Sequence, residues 1–469
     1  MKIEKNKLVS EEIIQKEIEI MNSFGERTTG SKGHQEFIAW LKNKLNDMGL
    51  QVYSDSYTFN RWEEKNRALL IGKEEIHVSS AYPYSGETDK NGVTGELMYT
   101  KNDNYSRAKG KIALIEIKTI KKLPIGLIMN KRDSFPDHIE LTAGEGELVL
   151  TSVLKKPDLK KAREKGVKAV ILVWNGVSDE KVENQYLPFT DEYLGIPAIW
   201  VNETEGKKVI AAAKRQEQGT VILEAKKQKN SLTESFYVTL EGKQKDETIL
   251  INTHTDGMNA IEENGAIGIL SMIRYLQSCQ RERTLVFAFI TGHFRLPVFK
   301  GTSQATSTWL TKHGEVWDGR AGNRKAVAGI TVEHLGSMEW KEYPKGQYKA
   351  TGKIQTEYTY IGNKKMGEIW KKAIKGRSLT RTVTLRGHNR FEFGESQPLF
   401  EAGIPVIGLI QMPDYLMVNS KNREMDKLNI SLMKEQIESL IKATLIVDKT
   451  PGRLLGKSDG YSYLLGRTK

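Results

Sequence analysis

The sequence lacks most of the features that mark secreted or membrane-bound proteins. It contains a single cysteine, Cys279, which cannot form a disulfide within the chain. No stretch approaches the roughly 18 consecutive apolar residues that span a bilayer, and the opening residues lack the apolar run of a signal peptide. These absences predict a cytoplasmic protein without structural disulfides and without a membrane anchor.

Proline is also scarce, with 12 residues in a chain of 469, and the hydrophobic content of 38% is typical of a globular protein with two or three domains. The 71 basic and 59 acidic side chains give a net charge of +12. The lysines are nevertheless spread along the chain and are not interleaved with aromatic residues, as they are in proteins that bind single-stranded nucleic acids. We therefore expect lysine-rich solvated faces and no strong nucleic-acid partner. The composition leaves the oligomeric state open.

Four segments of different character follow one another along the chain. Residues 1–55 have the pattern of helix, loop, helix and strand. Residues 56–229 have short strands and many turns, and end in a polar run at 226–230 that is typical of a linker. Residues 230–450 alternate strands with helices, and residues 451–469 form a C-terminal tail. This pattern predicts an α/β fold, a three-layer sandwich around a mostly parallel sheet, with a mainly-β domain inserted at 56–229.

Polar side chains follow the first strand of the alternating segment. His254 and Asp256 come directly after an apolar strand, in a spacing that suits a metal-binding imidazole held by a nearby acid. Glu262 and Glu263 precede the next predicted helix, where carboxylates can bind a metal or complement the helix dipole. Each pattern taken alone is most simply a hydrogen-bonded loop or the polar end of a strand.

Further polar residues follow the next two strands. His293 comes after the second strand, and Glu333 and His334 end the third. Because the carboxyl ends of parallel strands meet at one edge of a sheet, we expect these side chains to converge. Zinc accepts three or four nitrogen and oxygen ligands of this kind in a catalytic site. His388 is another candidate near this edge, although its position also fits a surface loop.

Several segments, taken in order, resemble a known family. Residues 25–52 contain a G-x-R-x-x-G-S-x-G segment, a helix and a G-L-x-V strand, and residues 56–225 contain Gly110-Lys111-Ile112 and Ile196-Pro197-Ala198. His254-Thr255-Asp256 and Glu401-Ala402-Gly403-Ile404-Pro405 follow. In this order they resemble the zinc aminopeptidases and carboxypeptidases related to aminopeptidase Y, glutamate carboxypeptidase and the transferrin receptor, over about residues 10–448. Residues 56–225 are similar to that family's protease-associated (PA) insert, which shapes the rim of the cleft.

The resemblance implies positions for metal ligands. His254 corresponds to the first ligand, and Asp256 to the acid that supports it. Glu262 corresponds to the bridging acid, with Ile261 as the alternative when the following helix is used for alignment. Glu333 corresponds to the acid on the next strand.

Two positions depart from the family's two-zinc pattern. The family's pair of glutamates corresponds to His293 and Phe294, and phenylalanine cannot bind zinc. The segment 414–419 has no histidine where the final ligand is expected. The resemblance therefore implies zinc or another divalent metal, with one ion at most, or none. His334, beside Glu333, is then a further candidate ligand, and His293 would act as the base or as a replacement ligand.

Two functional hypotheses follow. The first is a divergent metal-dependent hydrolase of the aminopeptidase type that cleaves a peptide or small amide, with His254, Glu262 and Glu333 binding the metal and His293 handling protons. The second is a non-catalytic binding or scaffold protein that kept the peptidase fold, as the transferrin receptor did.

Overall fold

The computed structural model of this protein describes residues 3–121, 129–141, 147–299, 304–344, 346–388, 392–459, 461–462 and 466–467. In chain order the α-helices are α1 (Glu11–Ser23), α2 (Lys32–Asp47), α3 (Leu148–Leu154), α4 (Leu159–Glu164), α5 (Asp179–Val182), α6 (Glu203–Lys214), α7 (Gly265–Gln277), α8 (Leu296–Phe299), α9 (Thr306–Lys312), α10 (Lys364–Ala373), α11 (Gln397–Glu401), α12 (Ile430–Lys449) and α13 (Gly452–Leu455). The strands are β1 (Tyr53–Ile71), β2 (Glu74–Ile76), β3 (Ser80–Ala81), β4 (Val93–Tyr99), β5 (Ile112–Lys118), β6 (Lys131–Phe135), β7 (Ala169–Asn175), β8 (Ala198–Val201), β9 (Gln218–Leu240), β10 (Gln244–His254), β11 (Arg283–Ile290), β12 (Lys325–Val332), β13 (Met338–Tyr343), β14 (Gln347–Ile354), β15 (Glu357–Ile361), β16 (Thr382–Arg386), β17 (Val406–Gln411), β18 (Tyr461–Ser462) and β19 (Gly466–Arg467).

The core is built on a mixed sheet in the order β9-β11-β10-β12-β17-β15-β16-β6. Its central strands β11, β10, β12 and β17 run parallel to one another. The residues of β11 are buried throughout, as expected for a strand that is covered on both faces. The parallel strands therefore end at one common edge of the sheet.

Helices cover both faces of this sheet. On one face Ile249 and Ile251 of β10 belong to an apolar cluster with residues of α1, α7 and α12. Leu250 points to the opposite face, where it belongs to a second cluster with Trp309 of α9 and Leu399 of α11. The predicted three-layer α/β sandwich is confirmed. In the described part of the chain, no helix combines the length and the apolar character needed to cross a membrane.

The stretch from β1 to β9 forms a second sheet that continues from the first. Strands β1 and β9 pair along their whole length as an antiparallel ribbon, and β9 also carries the order β3-β8-β7-β5-β4 on its insert side. Trp174 of β7 and Trp200 of β8 stack in its interior with ring centroids 4.1 Å apart. The insert and the core thus share two long strands.

The prediction of a linker at 226–230 is wrong, because these residues lie within β9 and 226–228 pair with β1. All five are exposed, so their polarity reflects a ribbon edge that meets solvent and not a break in secondary structure. The predicted boundaries of the insert at 56 and 229 therefore fall inside β1 and β9. In addition, β6 comes from the insert's stretch of sequence but pairs with β16 of the core.

Candidate metal centre

The common edge of the parallel strands brings three histidines together. His254 is the last residue of β10, His293 follows β11 in a single 3-10 turn (His293–Arg295), and His334 lies two residues beyond β12. The His254 and His293 rings stack with centroids 4.2 Å apart, and His334 meets His254 edge-on at 5.6 Å. The expected convergence of these three side chains is found.

Glu262 lies at the centre of this group. Its carboxylate oxygens are 3.7 Å from His254 Nδ1, 3.8 Å from His293 Nε2 and 3.7 Å from His334 Nε2. His254, Glu262 and His293 each offer a ligand atom within 4.8 Å of the others, a spacing that suits one ion. All four side chains are less than 10% exposed.

The partners of the Nδ1 atoms define the tautomers of the imidazoles. His254 Nδ1 lies 2.9 Å from the Asp256 carbonyl, His293 Nδ1 lies 2.9 Å from Glu395 Oε1, and His334 Nδ1 lies 2.7 Å from the Gln411 carbonyl. These oxygens are acceptors, so in the neutral form of each imidazole Nδ1 carries the proton and Nε2 keeps its lone pair. Metal-binding histidines are usually held by such bonds to carbonyls and carboxylates.

Several polar atoms of this group lack a hydrogen-bond partner in the described part of the chain. Among the described residues, His254 Nε2, His334 Nε2 and both carboxylate oxygens of Glu262 are buried without a hydrogen bond. Burial raises the pKa of Glu262 well above its usual 4.5, and the charges of Glu263 and Asp256 add to this shift. A buried carboxylate among lone pairs is costly without a cation, so these residues fit a single divalent ion.

The pKa values of two imidazoles favour the same interpretation. Burial lowers the pKa of His254 well below 6.5, and burial lowers that of His334 to about 3, so both stay neutral at physiological pH. Burial also acts to lower the pKa of His293, but the hydrogen bond and charge of Glu395 outweigh it and the net shift is upward. Only neutral imidazoles can bind a metal.

Glu333, a predicted ligand, is not part of the three-residue group. Its Oε1 accepts a hydrogen bond of 2.7 Å from the backbone N–H of Glu395. Gly394 makes this approach possible, because a methyl group there would overlap the Glu333 carboxylate. Burial and the neighbouring Glu395 raise the pKa of Glu333 to about 8, although His293 opposes the shift.

Asp256 supports the site differently from the prediction. Its backbone carbonyl, and not its carboxylate, contacts the His254 ring. The carboxylate accepts hydrogen bonds from the backbone N–H groups of Gly292, His293 and Phe294, at 3.1, 3.3 and 3.2 Å. Asp256 therefore fixes the turn that carries His293.

The two remaining predictions about single residues concern Ile261 and His388. Ile261 is buried in the apolar core, so Glu262 is the residue that reaches the site. His388 is 3% exposed, and the interpretation of it as a surface-loop residue is wrong. Its backbone N–H donates to Glu392, and it lies outside the three-residue group.

Residues 25–34 form side-chain contacts that hold the site in place. The sequence alone did not predict these contacts. Arg27 pairs with Glu263, the hydroxyl of Thr29 donates to the Asp256 carboxylate, and His34 Nε2 lies 2.9 Å from Thr255 Oγ1. The G-x-R-x-x-G-S-x-G pattern marks this segment, but these partners lie more than 200 residues away along the chain. No local signal identifies them.

The insert covers the site from the other side. Phe294 is buried and packs against Phe189 and Tyr186 of the insert, with ring centroids 5.5 and 5.8 Å apart. Phe189 also stacks on the His293 ring at 5.7 Å. The segment 414–419, which lacks the expected histidine, contacts the insert through hydrogen bonds such as that from Tyr186 N to the Met417 carbonyl at 2.8 Å.

Solved structures with a similar fold include two aminopeptidases and a peptidase. The zinc aminopeptidase BSAP from Bacillus subtilis superposes with a TM-score of 0.65 at 15% identity, covering 94% of this chain and 97% of that one. An aminopeptidase from Aneurinibacillus sp. strain AM-1 gives 0.62 at 15% identity with 95% of each chain covered. A peptidase M28 precursor from Shewanella amazonensis gives 0.64 at 15% identity, covering 94% of this chain and 98% of that one. At this identity the similarity establishes the zinc exopeptidase-like fold.

No protein-family model matches the sequence, and no curated protein matches it either.

Proposed function

We propose that the protein is a metal-dependent hydrolase of the aminopeptidase type, which cleaves a peptide or small amide with one divalent ion. His254, Glu262 and His293 would bind the ion. His334, whose Nε2 lies 3.7 Å from Glu262 Oε1, is the candidate for a fourth ligand. The nitrogen-rich ligand set suits zinc or a similar transition metal. The aminopeptidases among the structural neighbours support this reaction class.

One observation carries the proposal. Glu262 is completely buried, and neither of its oxygens has a hydrogen-bond partner among the described residues, although three imidazoles surround it. A purely structural glutamate would be bonded to a donor at this depth. A cation between Glu262 and the imidazoles accounts for all the unpartnered atoms at once.

Three groups of this chain orient the imidazole rings of the site. The Asp256 carbonyl, Glu395 and the Gln411 carbonyl hold the three Nδ1 protons and so keep each ring in one orientation. His293 is thereby a replacement ligand and not the base. An ion held there would polarise the scissile carbonyl and activate water.

We assign the transfer of a proton to the leaving amine to Glu333. With a pKa raised to about 8 by burial and Glu395, this carboxyl group carries a proton at neutral pH. It can therefore protonate the departing amine, a task that general acids with a pKa near the working pH perform well. Glu333 accepts a hydrogen bond from the backbone of Glu395, whose side chain bonds to His293. These two bonds fix the position of Glu333 relative to His293.

A specific observation favours the non-catalytic alternative. Phe294 occupies the position that the family resemblance gives to a glutamate, and it packs against the insert directly beside His293. The four clustered side chains are almost fully buried. A protein that kept a metal for stability and closed its cleft would have these features.

Metal content and activity together test the two functions. After zinc loading and removal of free ions, mass spectrometry should find about one zinc per chain in the wild type and less than a tenth of that in His254→Ala. His77→Ala changes an exposed histidine and serves as the control. Hydrolysis of aminoacyl p-nitroanilides that is lost in Glu333→Gln, with zinc retained, supports the hydrolase. Bound zinc without any hydrolysis supports the scaffold, and no bound zinc contradicts the metal site.

A further inference from the structure

Arg295 is a buried cation that has no anionic partner among the described residues. It ends the 3-10 turn that begins with His293, and it is 5% exposed. No carboxylate of a described residue forms an ion pair with its guanidinium, and its Nε is buried without a hydrogen bond to any of them. Buried guanidinium groups are normally paired with carboxylates, because an uncompensated charge in the interior is costly.

The carboxylate beside Arg295 is engaged elsewhere. Arg295 Nη1 donates a hydrogen bond of 2.5 Å to the backbone carbonyl of Asp191, but not to its side chain. The Asp191 carboxylate accepts the hydroxyl hydrogen of Tyr82 at 2.5 Å and pairs with Lys156. Among the described residues, the guanidinium thus donates to one neutral oxygen and pairs with no carboxylate.

The surroundings hold the guanidinium in a fixed plane. Its Cζ lies 3.7 Å from the centroid of the Tyr84 ring, on which it stacks. Stacking of this kind orients an arginine and leaves the donors at its edge free. Arg295 is therefore preorganised to bind a planar anion through its edge, the geometry in which arginine binds carboxylates.

The position of Arg295 relates it to the metal centre. Arg295 is two residues from His293, so their Cα atoms are at most about 7.6 Å apart. Beside the same turn, the half-buried rings of Tyr186 and Phe189 pack on the buried Phe294 and offer an apolar contact. A ligand with both an apolar group and a carboxylate would match this combination.

We propose that Arg295 binds a carboxylate of the substrate, so that the substrate class is short peptides or N-acyl amino acids with a free carboxylate. This inference rests on the proposed hydrolase function for its substrate role. The insert contributes Tyr84 and the Asp191 carbonyl, and so it positions a group that selects the substrate.

Binding by the full-length protein tests this independently of catalysis. Titration calorimetry compares N-acetyl-L-leucine with N-acetyl-L-leucinamide, which lacks the negative charge. Because hydrogen bonds to charged groups are strong, the wild type should bind the acid about 10- to 100-fold more tightly than the amide. Arg295→Met should lose this preference, and Arg295→Lys, which keeps the charge but not the planar group, should retain part of it. Arg274→Met removes a positive charge from the contact with Glu17 and should leave the preference unchanged.

Repeating the titration with metal-free protein separates Arg295 from the metal, because the preference for the acid should persist there. Hydrolysis of leucyl-glycine and leucyl-glycinamide by zinc-loaded protein provides the second comparison. If neither is hydrolysed but the binding preference depends on Arg295, the hydrolase function fails and the carboxylate site stands. Equal binding of acid and amide by the wild type, or an unchanged preference in both Arg295 variants, overturns the inference. Circular dichroism verifies that each variant is folded.

Discussion

Glu262 is held in a position where its negative charge depends on a partner that no described residue supplies. Without a cation, burial keeps the pKa of this carboxyl group well above 4.5, which favours the protonated form. Binding of a metal must expel that proton, because a neutral carboxyl group is a poor ligand. Metal affinity should therefore increase with pH, and the raised pKa of His293 adds to the same trend.

Calorimetry of zinc binding in buffers of different ionisation enthalpy measures the proton count. At pH 7 the wild type should release about one proton more per zinc than Glu262→Gln, which should also bind zinc at least about 10-fold more weakly. Glu424→Gln, at a buried glutamate paired with Lys427, is the matched control. An identical proton count in the wild type and Glu262→Gln would show that Glu262 is not a ligand.

At the scale of elements, the segment 25–34 and helix α2 tie the start of the chain to the loop after β10. His34 Nδ1 lies 3.1 Å from the backbone nitrogen of Gly30 and accepts its hydrogen, while Nε2 bonds to Thr255. Protonation of Nδ1 would break the first of these bonds. Burial is the main cause that lowers the pKa of His34, to about 4.

This lowered pKa makes stability depend on pH. The unfolded chain, with a histidine pKa near 6.5, binds more protons than the folded one between about pH 6.5 and 4, so His34 destabilises the protein as pH falls through that window and has no effect above it. The free energy of unfolding should lose about 2 kcal/mol between pH 7 and 4.5 through this residue. Urea unfolding at both pH values tests this. The decrease in unfolding free energy from pH 7 to 4.5 should be about 2 kcal/mol smaller in His34→Gln than in the wild type. His77→Gln should keep the wild-type difference, and a His34→Gln curve parallel to the wild type would contradict the assignment.

At the scale of the whole molecule, β1 and β9 join the insert to the core. The two strands pair from Tyr53 with Tyr237, in the core, to Ile71 with Gly219, in the insert. The contact of β6 with β16 and the bonds between the insert and the segment 414–419 add further connections. Domains joined by flexible linkers usually move and unfold separately. Here the insert and the core share β1 and β9, so unfolding of either one also disrupts the other.

We therefore expect one cooperative unfolding transition. Native-state hydrogen exchange in increasing urea should give the same opening free energy for the amides of β7 in the insert and of β10 in the core. A variant with Trp174→Ala, which weakens only the insert's interior, should lower both values together. Earlier opening of β7 than of β10 would mean that the insert unfolds alone.

The sequence by itself determined the layout of the core and the approximate position of the site. Alternation of strands and helices depends on local periodicity, and polar residues after parallel strands must meet at one edge, so His254, His293 and His334 were expected together. The linker at 226–230 was predicted wrongly because an exposed ribbon and a loop have the same polar composition.

Only the tertiary structure decided the chemistry within that site. The bond between His293 and Glu395 joins residues 102 apart, and that between Arg27 and Glu263 joins residues 236 apart. Distant neighbours also decide the turn of Glu333 towards residue 395 and the covering of Phe294 by the insert. The same holds for Arg295, whose Nε has no hydrogen-bond partner among the described residues. Charge, tautomer and ligand geometry are set by what surrounds a group in three dimensions, whereas periodicity along the chain records only which face of an element is buried.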